Sequence, residues 1–404
     1  MNVEIKIGKA QGSVAAPPSK SMAHRLLICA ALAKGESRIS GISLCEDVLA
    51  TMDCLNALGA RISLSDNVAS VRGFDPREAV PQAELFARES GSTLRFLIPI
   101  ALLSGKCATF GGAGRLMERP MSVYKELCDS LGLQFKQEGG KITVCGKLPA
   151  KDISLRGDVS SQFITGLLFV LPLLGGERRI KITSHIESKS YIDLTIQAMR
   201  DFGIEVLWEN ESTLLVKDGS CYVPRDTFVE GDYSAAAFPD ALNVLGGDVK
   251  VLGLRDGSLQ GDRVYKKHIK ALSEGYAEIS LADCPDLGPI LFAVAAACHG
   301  GRFTETARLK IKESDRAAAM AEELSKFGAY LSVLDNEVIV NKTELHAPNA
   351  PLCGHNDHRI VMSLAVLATI YGGTIEGAEA IKKSYPEFFS HLEQLQIEVI
   401  RYGN

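Results

Sequence analysis

Helix-like apolar stretches that end near a glycine and then pass into a β-rich stretch recur along this chain. A sixth copy, with Gln396 in place of the glycine, follows the last of the five by 68 residues. A glycine at this point suits a left-handed helix C-cap that turns the chain into a strand, so each copy predicts helix, cap, strand. The five glycines are separated by 73, 71, 72 and 53 residues and are Gly59, Gly132, Gly203, Gly275 and Gly328.

Several copies continue into a predicted hairpin, in which β-rich runs flank turn residues, as in 135–144 and 330–340. The fourth copy is shorter, because Ile279 is followed almost at once by Pro285 and leaves no room for a second strand. The pattern therefore predicts an α/β fold of six repeats with the fourth one shortened. The alternative is that helix–glycine–strand junctions, which are common in α/β proteins, recur here by coincidence. The regular spacing of the glycines argues against it.

Six repeats divide naturally into two domains of three, with a seam predicted near 221–231, between the third and fourth copies. A single long solenoid is the other arrangement that the pattern allows. Polar motifs occur in both halves, which favours two lobes that hold a ligand in a cleft between them.

The totals describe an ordinary globular protein of 404 residues, 46% hydrophobic and 23% charged, with a formal net charge of -5. A negative net charge argues against general binding to nucleic acid or membrane surfaces. Any anion site must then be a local cluster of Lys and Arg, which favours a small anionic ligand.

The ten cysteines are scattered without a C-x-x-C pair, which indicates free thiols in a reducing compartment and no structural metal site. The longest apolar runs, such as 163–174, are shorter than the roughly 20 residues that span a bilayer, and the N-terminus has no signal-like segment. We expect a cytoplasmic protein.

Cations accompany hydroxyl groups at several predicted helix starts of the first half, where free backbone amides favour phosphate or carboxylate. Simple helix caps and solvated cations are the alternative for each. The segments are Pro17–Arg25 with Lys20, Ser19, Ser21 and Arg25, Ser90–Arg95 with Gly91, the glycine-rich loop 111–120 with Arg115 and Arg119, Ser160–Gln162, and Ser188–Tyr191.

In the second half, Lys312 and Arg316 lie four residues apart beside a predicted helix, and Glu313 lies between them. On a helix these cations share one face, where like charges cost about 0.2 to 0.5 kcal/mol unless an anion sits between them. Asp286 precedes an apolar helix and is either its cap or a general base. Arg359 and Lys383 supply further cations. Many cations beside few carboxylates, without a nucleotide loop, indicate two polyanionic substrates and proton transfer.

These motifs resemble the EPSP synthase (3-phosphoshikimate 1-carboxyvinyltransferase) family of enolpyruvyl transferases, from Lys20 to Lys383. The blocks that carry the resemblance are Ser19–Ser21 with Arg25, Gly91 with Arg95, Glu118–Pro120, Ser160–Gln162, Ser188 with Tyr191, Pro285–Asp286, Lys312–Arg316, Asn356–Arg359 and Lys383.

The resemblance implies a two-lobed fold, each lobe of three βαβαββ-type units, with the active site in the cleft between them. It gives an N-terminal lobe of residues 19–223 and a C-terminal lobe of residues 1–18 plus 224–404. It also implies a monomer that needs no cofactor and binds shikimate 3-phosphate and phosphoenolpyruvate.

The resemblance further implies roles for individual residues. Asp286 would handle the proton of the substrate hydroxyl, Glu313 would protonate C3 of phosphoenolpyruvate, and Lys20 would lie near the phosphate and bridging oxygen. The residues implied for shikimate 3-phosphate are Ser21, Arg25, Ser160, Ser161, Gln162, Ser188, Tyr191 and Lys312. Those implied for phosphoenolpyruvate are Gly91, Arg119, Arg316, Arg359 and Lys383, while Lys20 and Gln162 touch both ligands.

The chain departs from common family residues at four positions, which bear on the fine shape of the phosphoenolpyruvate pocket, where glyphosate competes. Arg308 is the departure that falls among the substrate-site positions. The residues are Glu89, Phe96 and Arg308, with His24 where Asn is frequent.

Two rival hypotheses share this fold. UDP-N-acetylglucosamine enolpyruvyl transferase uses a reactive Cys in the loop that corresponds to 111–120, where this chain has none, and a Lys-Asn pair where this chain has Lys20-Ser21. A non-catalytic anion-binding protein would gain nothing from the carboxylates of Asp286 and Glu313.

Overall fold

The structure is a computed structural model that describes residues 1–78 and 83–403. The chain divides into two compact lobes. The N-lobe is Pro18–Glu230, and the C-lobe combines Met1–Pro17 with Gly231–Asn404. Each lobe has a hydrophobic core of its own.

Short strands and helices alternate through both lobes. The strands are β1 (Asn2–Ile5), β2 (Gln11–Ala15), β3 (Glu36–Ser40), β4 (Arg61–Ser65), β5 (Val68–Arg72), β6 (Ala83–Phe86), β7 (Ala108–Gly111), β8 (Gln134–Glu138), β9 (Lys141–Cys145), β10 (Ile153–Leu155), β11 (Arg178–Ile182), β12 (Val206–Asn210), β13 (Thr213–Val216), β14 (Thr227–Phe228), β15 (Asp248–Leu252), β16 (Ala277–Ser280), β17 (Gly301–Thr304), β18 (Tyr330–Val333), β19 (Glu337–Asn341), β20 (Leu352–Cys353), β21 (Gly373–Glu376) and β22 (Val399–Tyr402). The helices are α1 (Lys20–Leu32), α2 (Glu46–Leu58), α3 (Gly91–Ala101), α4 (Ser122–Leu131), α5 (Ser161–Val170), α6 (Lys189–Asp201), α7 (Tyr233–Ala241), α8 (Tyr265–Glu274), α9 (Gly288–Ala297), α10 (Arg316–Ser325), α11 (His358–Tyr371) and α12 (Phe388–Gln394).

One repeat consists of a strand, a buried helix, a parallel strand, a second helix and a hairpin. In the second repeat β6 pairs in parallel with β7, and the hairpin of β8 and β9 adds antiparallel to β7. The same strand order recurs in the sheets β10-β11-β13-β12 and β16-β17-β19-β18. The predicted sixfold α/β repeat is confirmed.

In the part of the chain that the structure describes, the fourth repeat has no hairpin, as the short spacing predicts. Among the described strands its sheet contains β2 and β15 alone, paired in parallel. The strand after its second helix, β16, pairs with β17 in the next sheet. The residues around Ile279, interpreted from sequence as the strand of the fourth copy, therefore open the fifth repeat.

The glycine that ends the second helix is left-handed in most copies. Gly59, Gly132, Gly203 and Gly328 have φ angles of 125°, 68°, 86° and 89°, and Gln396 takes the same region at 69°. The expectation is wrong at Gly275, whose φ of 173° is extended backbone that any residue adopts. This exception falls in the repeat that has no hairpin to enter.

The first helix of each repeat is apolar and buried around much of its circumference, which places its N-terminus at the edge of the core. In α9 every residue from Gly288 to Ala296 is buried, and in α11 every residue from His358 to Thr369. Many of the candidate site residues lie at or next to these N-termini.

The expectation that all ten cysteines are free thiols is wrong for two of them. Cys107 and Cys145 form a disulfide across the start of β7 and the end of β9. Ala108 pairs with Val144 in this antiparallel ladder, so the two cysteines face each other one step further along. The spacing of cysteines along the chain could not show this, because the ladder brings together residues 38 apart.

In the described residues, the helices are all too short or too polar to cross a membrane.

Candidate active site

The N-lobe holds ten of the candidate residues, most of them at the starts of helices, and we refer to them as the Lys20 group. They are Lys20, Ser21, Arg25, Gly91, Arg119, Ser160, Ser161, Gln162, Ser188 and Tyr191.

The start of α1 combines a capping hydroxyl with a fixed cation. Ser19 caps the helix by accepting a hydrogen bond from the backbone N–H of Met22, and it is fully buried. Lys20 Nζ lies 2.7 Å from Asp47 Oδ2 on α2. The ion pair holds the ammonium of Lys20 beside the amides that open the helix, an arrangement that suits an anionic ligand.

Arg25 is buried within the N-lobe, with a side chain that spans α1 and α6. Its Nε donates to Thr195 Oγ1 at 2.8 Å, and its terminal nitrogens donate to the carbonyls of Ser21 and Tyr191. The guanidinium also lies over the ring of Phe96, 5.3 Å from its centroid. Burial lowers the pKa of Arg25 to about 10, which leaves the group charged at neutral pH.

The start of α3 lies against two arginines. Ser90 caps the helix and accepts from the N–H of Thr93. A methyl group added to Gly91 would lie 3.0 Å from Arg119 Nη1 and 3.5 Å from Gln162 Oε1, so a side chain here would have to displace the guanidinium by a few tenths of an ångström. Arg95 completes the cluster by donating to Gln162 Oε1 at 2.7 Å.

Hydroxyl groups at the starts of α5 and α6 complete the Lys20 group. Ser160 caps α5 by accepting from the N–H of Gln162, and Ser161 is buried beside it. Ser188 precedes α6 with a left-handed φ of 50° and makes no side-chain cap. That backbone is uncommon for a residue other than glycine and sets the direction of its buried hydroxyl.

Seven candidates come together in the C-lobe, and we refer to them as the Asp286 group. They are Asp286, Arg308, Lys312, Glu313, Arg316, Arg359 and Lys383.

Lys312 and Arg316 do not share a helical face, contrary to the sequence prediction. A 3-10 helix spans Ala307–Ile311, Lys312 follows it in extended backbone, and α10 begins only at Arg316 with Asp315 as its cap. An anion nevertheless lies between the two cations, because Asp286 Oδ1 is 3.1 Å from Lys312 Nζ and 2.8 Å from Arg316 Nη1.

Asp286 is the centre of this group. Its other oxygen, Oδ2, accepts from Arg359 Nη2 at 3.1 Å, and its backbone carbonyl accepts from Arg359 Nη1 at 3.0 Å. The residue lies in the 3-10 turn Pro285–Leu287, and α9 has no side-chain cap. The N-cap position of α9 is Leu287, so Asp286 is not the residue at that position.

Arg316 is the most deeply buried cation of the group, with 1% of its side chain exposed. It donates to Asp357 Oδ2 at 2.9 Å and to Glu313 Oε2 at 2.7 Å, in addition to Asp286. Burial alone would lower the pKa of Arg316, but the three carboxylates together raise it above its ordinary value. Lys312 differs from Arg316, because its burial lowers its pKa to about 8 although the negative charge of Asp286 opposes this change.

Arg308 and Lys383 lie at the margin of the Asp286 group. The positive charge of Arg308 contributes to the lowered pKa of Lys312. Lys383 is buried at the end of the 3-10 helix Ala378–Lys383 and donates to the carbonyl of Asn356 at 2.5 Å.

Sequence reasoning missed the carboxylates and hydroxyls that hold these cations. Asp357 is the clearest case, because it pairs with Arg316 and also caps α11 by accepting from the N–H of Arg359. Its place before an apolar helix is a capping signal that could have found it. Asp47, the partner of Lys20, lies 27 residues away without a local signal. Ser234, which accepts a hydrogen bond from Arg359 at 2.6 Å, also has no local sequence signal that indicates this role.

A separate group of ligand-type side chains lies behind the site. Oxygen or nitrogen atoms of Glu322, Glu323 and His355 all lie within 4.8 Å of one another. Lys326 Nζ already lies 2.9 and 2.8 Å from the two carboxylate oxygens of Glu323. This buried carboxylate therefore has an organic cation as its partner, and we assign the cluster no metal.

The family model for EPSP synthase (3-phosphoshikimate 1-carboxyvinyltransferase) matches residues 5–392, a range that contains both groups. The chain belongs to the EPSP synthase family. It is 40% identical to the 3-phosphoshikimate 1-carboxyvinyltransferase of Clostridium kluyveri over 418 aligned positions, which cover 98% of each chain. The enzyme of the same name from Clostridioides difficile is 36% identical, with 98% of this chain and 97% of that one covered.

Solved structures of family members share the fold. An EPSP synthase from Acinetobacter baumannii superposes with a TM-score of 0.77 at 23% identity, covering 99% of this chain and all of the other. The enolpyruvyl transferase NikO from Streptomyces tendae gives 0.76 at 14% identity, covering 99% and 98%. The two-lobed enolpyruvyl-transferase fold expected from sequence is thereby confirmed.

Proposed function

We propose that this protein transfers the enolpyruvyl group of phosphoenolpyruvate to the 5-hydroxyl of shikimate 3-phosphate, releasing phosphate. The observation that carries the proposal is the carboxylate of Asp286, held by Lys312, Arg316 and Arg359, with Glu313 on the same arginine. A protein that only captured anions would gain nothing from two carboxylates among its cations. Membership in the EPSP synthase family supports the same reaction.

The reaction moves protons in both of its steps. The hydroxyl oxygen attacks C2 of phosphoenolpyruvate and loses its proton, while C3 gains one, which gives a tetrahedral intermediate. The intermediate then loses a proton from C3 and breaks its C2–O bond to phosphate. We assign the hydroxyl proton to Asp286, the C3 proton to Glu313, and stabilisation of the phosphate and bridging oxygen to Lys20.

The fixed cations account for much of the expected rate. Two substrates that both carry phosphate repel each other, and Lys and Arg side chains that are already held by ion pairs neutralise this repulsion without reorganisation. In our proposal the Lys20 group and the Asp286 group act on the same pair of substrates. The hydroxyl and cation set of the Lys20 group, around Arg25, Ser160 and Ser188, binds shikimate 3-phosphate, while Gly91 and Arg119 contact phosphoenolpyruvate together with Arg316, Arg359 and Lys383.

The test is phosphate release by the purified protein with phosphoenolpyruvate and shikimate 3-phosphate. A parallel reaction offers UDP-N-acetylglucosamine as the acceptor in place of shikimate 3-phosphate. We expect release only with shikimate 3-phosphate. Release only with the UDP-sugar supports the rival transferase, and a protein that binds phosphoenolpyruvate but releases no phosphate with either acceptor is the non-catalytic alternative.

A further inference from the structure

Four fully buried polar side chains form a continuous chain of hydrogen bonds through the N-lobe. His24 Nδ1 lies 2.7 Å from Thr51 Oγ1, Thr51 Oγ1 lies 2.6 Å from Thr93 Oγ1, and Thr93 Oγ1 lies 2.8 Å from Ser90 Oγ. All four residues have 0% relative exposure. The chain joins three helices, because His24 lies on α1, Thr51 on α2 and Thr93 on α3.

The donors of this chain have one consistent order. Thr93 directs its single hydroxyl proton to Ser90 or to the carbonyl of Asp47, so Thr51 must donate to Thr93. The proton between His24 and Thr51 must then come from Nδ1 of the imidazole. His24 is therefore the donor at the end of the chain, and the order requires a proton on its Nδ1 atom.

The surroundings of His24 support a neutral ring. Burial lowers the pKa of His24 well below its ordinary value, and the charges of Lys20 and Arg25 add to the effect. The edge of the ring faces Phe96, with the two planes at 88° and the centroids 6.4 Å apart. Among the described residues its Nε2 atom has no hydrogen-bond partner. The imidazole thus makes one polar contact, to Thr51, and is otherwise packed.

Thr93 links the chain to the Lys20 group in two ways. Ser90 is the cap of α3, directly before Gly91, and it is held by Thr93 through both the backbone N–H and the hydroxyl. The hydroxyl of Thr93 also lies 3.4 Å from the carbonyl of Asp47, whose carboxylate pairs with Lys20. Displacing Thr93 would therefore move the start of α3 relative to α1 and α2.

We propose that His24 is a positioning residue for phosphoenolpyruvate, acting through Thr51 and Thr93 on the start of α3 where Gly91 lies. This inference rests on the proposed function. Loss of the donor leaves the hydroxyl of Thr51 without its buried partner, which weakens the restraint on Ser90 and Gly91. The lost restraint raises KM for phosphoenolpyruvate more than it lowers kcat, because His24 takes no part in the chemical steps.

The test compares His24→Leu, His24→Asn and Thr51→Val in steady-state kinetics at saturating shikimate 3-phosphate. The amide of Asn can donate to Thr51, whereas Leu cannot. We expect His24→Leu and Thr51→Val to raise KM for phosphoenolpyruvate about tenfold, and His24→Asn to restore it to within about threefold of wild type. KM for shikimate 3-phosphate should change by less than about twofold.

Thr369→Val is the matched control, because among the described residues the hydroxyl of this buried threonine in the C-lobe bonds only to the carbonyl of Val366 in its own helix. Thermal unfolding of all variants separates lost stability from lost positioning. Equal KM values for Thr51→Val and Thr369→Val in an active protein overturn the inference alone, as does a His24→Asn variant no better than His24→Leu. A wild type that releases no phosphate overturns the proposed function and this inference with it.

Discussion

Asp357 and Arg316 form a buried ion pair in the C-lobe, with Oδ2 and Nε 2.9 Å apart and side chains 0% and 1% exposed. The same carboxylate accepts from the backbone N–H of Arg359 through Oδ1. One residue thereby holds the side chain of one candidate arginine and the backbone of another. The pair has a structural role, because an isolated charge at either position would be buried without compensation.

Replacing Asp357 by Asn should lower the free energy of unfolding by about 3 to 5 kcal/mol, because it breaks a buried ion pair from one side. Asn remains a good helix cap, so the loss does not come from capping. Asp315→Asn is the control, since Asp315 also caps a helix, α10, through the N–H of Ala318. Urea unfolding measures both variants, and a similar small loss in each would refute the importance of the pair.

Glu313→Gln should retain substrate binding and lose most turnover. The amide oxygen can still accept from Arg316 Nη2, which Glu313 now does at 2.7 Å, but the amide cannot deliver a proton to carbon. General acid catalysis contributes about 10² to 10⁴ in rate, and kcat should fall by that factor with KM little changed. Phosphate-release assays that are stopped at fixed times measure kcat and KM. Glu274→Gln, at an exposed position, is the control. A large rise in KM at unchanged kcat would contradict the role.

Arg119→Ala should mainly weaken the binding of phosphoenolpyruvate, whereas Glu313→Gln mainly lowers turnover. Arg119 lies against Gly91, where removal of its guanidinium takes away a charged donor without touching either proposed acid or base. We expect KM for phosphoenolpyruvate to rise at least about tenfold, while kcat at saturation falls much less. Arg115→Ala, on the same loop but half exposed, is the control. Calorimetric titration with phosphoenolpyruvate gives an independent measure of the same loss.

The buried carboxylate of Glu323 makes the stability of the C-lobe depend on pH. His355 Nε2 lies 3.0 Å from Glu323 Oε1, and this hydrogen bond raises the pKa of His355 above 6.5. A raised pKa means that the folded protein binds the proton more tightly than the unfolded one. The contribution is therefore complete below pH 6.5 and is lost as pH rises through the raised pKa.

Thermal unfolding between about pH 5.5 and pH 8.5 tests this dependence. The difference in Tm between wild type and His355→Gln should be largest at the acid end and shrink as the pH rises. His346→Gln is the control, because the hydrogen bond of this exposed imidazole is to the neutral carbonyl of Ala347 and not to a carboxylate. A difference in Tm between wild type and His355→Gln that grows as the pH rises would contradict the prediction.

The disulfide makes a simple chemical prediction. Thiol titration of the denatured protein without reductant should find eight free thiols, and after reduction ten. In the chain-entropy model, closure of a loop of 38 residues stabilises the fold by about 4 kcal/mol, which Cys107→Ser should remove. Ten free thiols without reductant would show that the bond does not form.

Local signals accounted for the repeats and the starts of the helices. The glycine spacing predicted six repeats and the short fourth one, because each cap is encoded by residues adjacent in sequence. Ser19, Ser90 and Ser160 cap the helices that the motifs indicated. Residue types at helix starts are informative because they satisfy amides only two or three positions away.

Partners distant in sequence were not predictable in this way. Asp286 meets Arg359 across 73 residues, and Cys107 meets Cys145 across 38, through pairings that depend on the assembled lobe. The prediction that Lys312 and Arg316 share a helical face was wrong, because a spacing of four residues implies a shared face only within one helix. A turn between a 3-10 helix and α10 intervenes, and a carboxylate from another segment, Asp286, lies between the cations.

The last sheet of the C-lobe is closed by the first strand of the chain. β1 lies between β21 and β22, with Asn2 opposite Tyr402. During synthesis on the ribosome, β1 can pair with both of its neighbours only once the residues up to Tyr402 have been made. The C-lobe therefore depends on strands that are far apart in sequence, whereas the N-lobe is a continuous segment that needs no residue beyond Glu230.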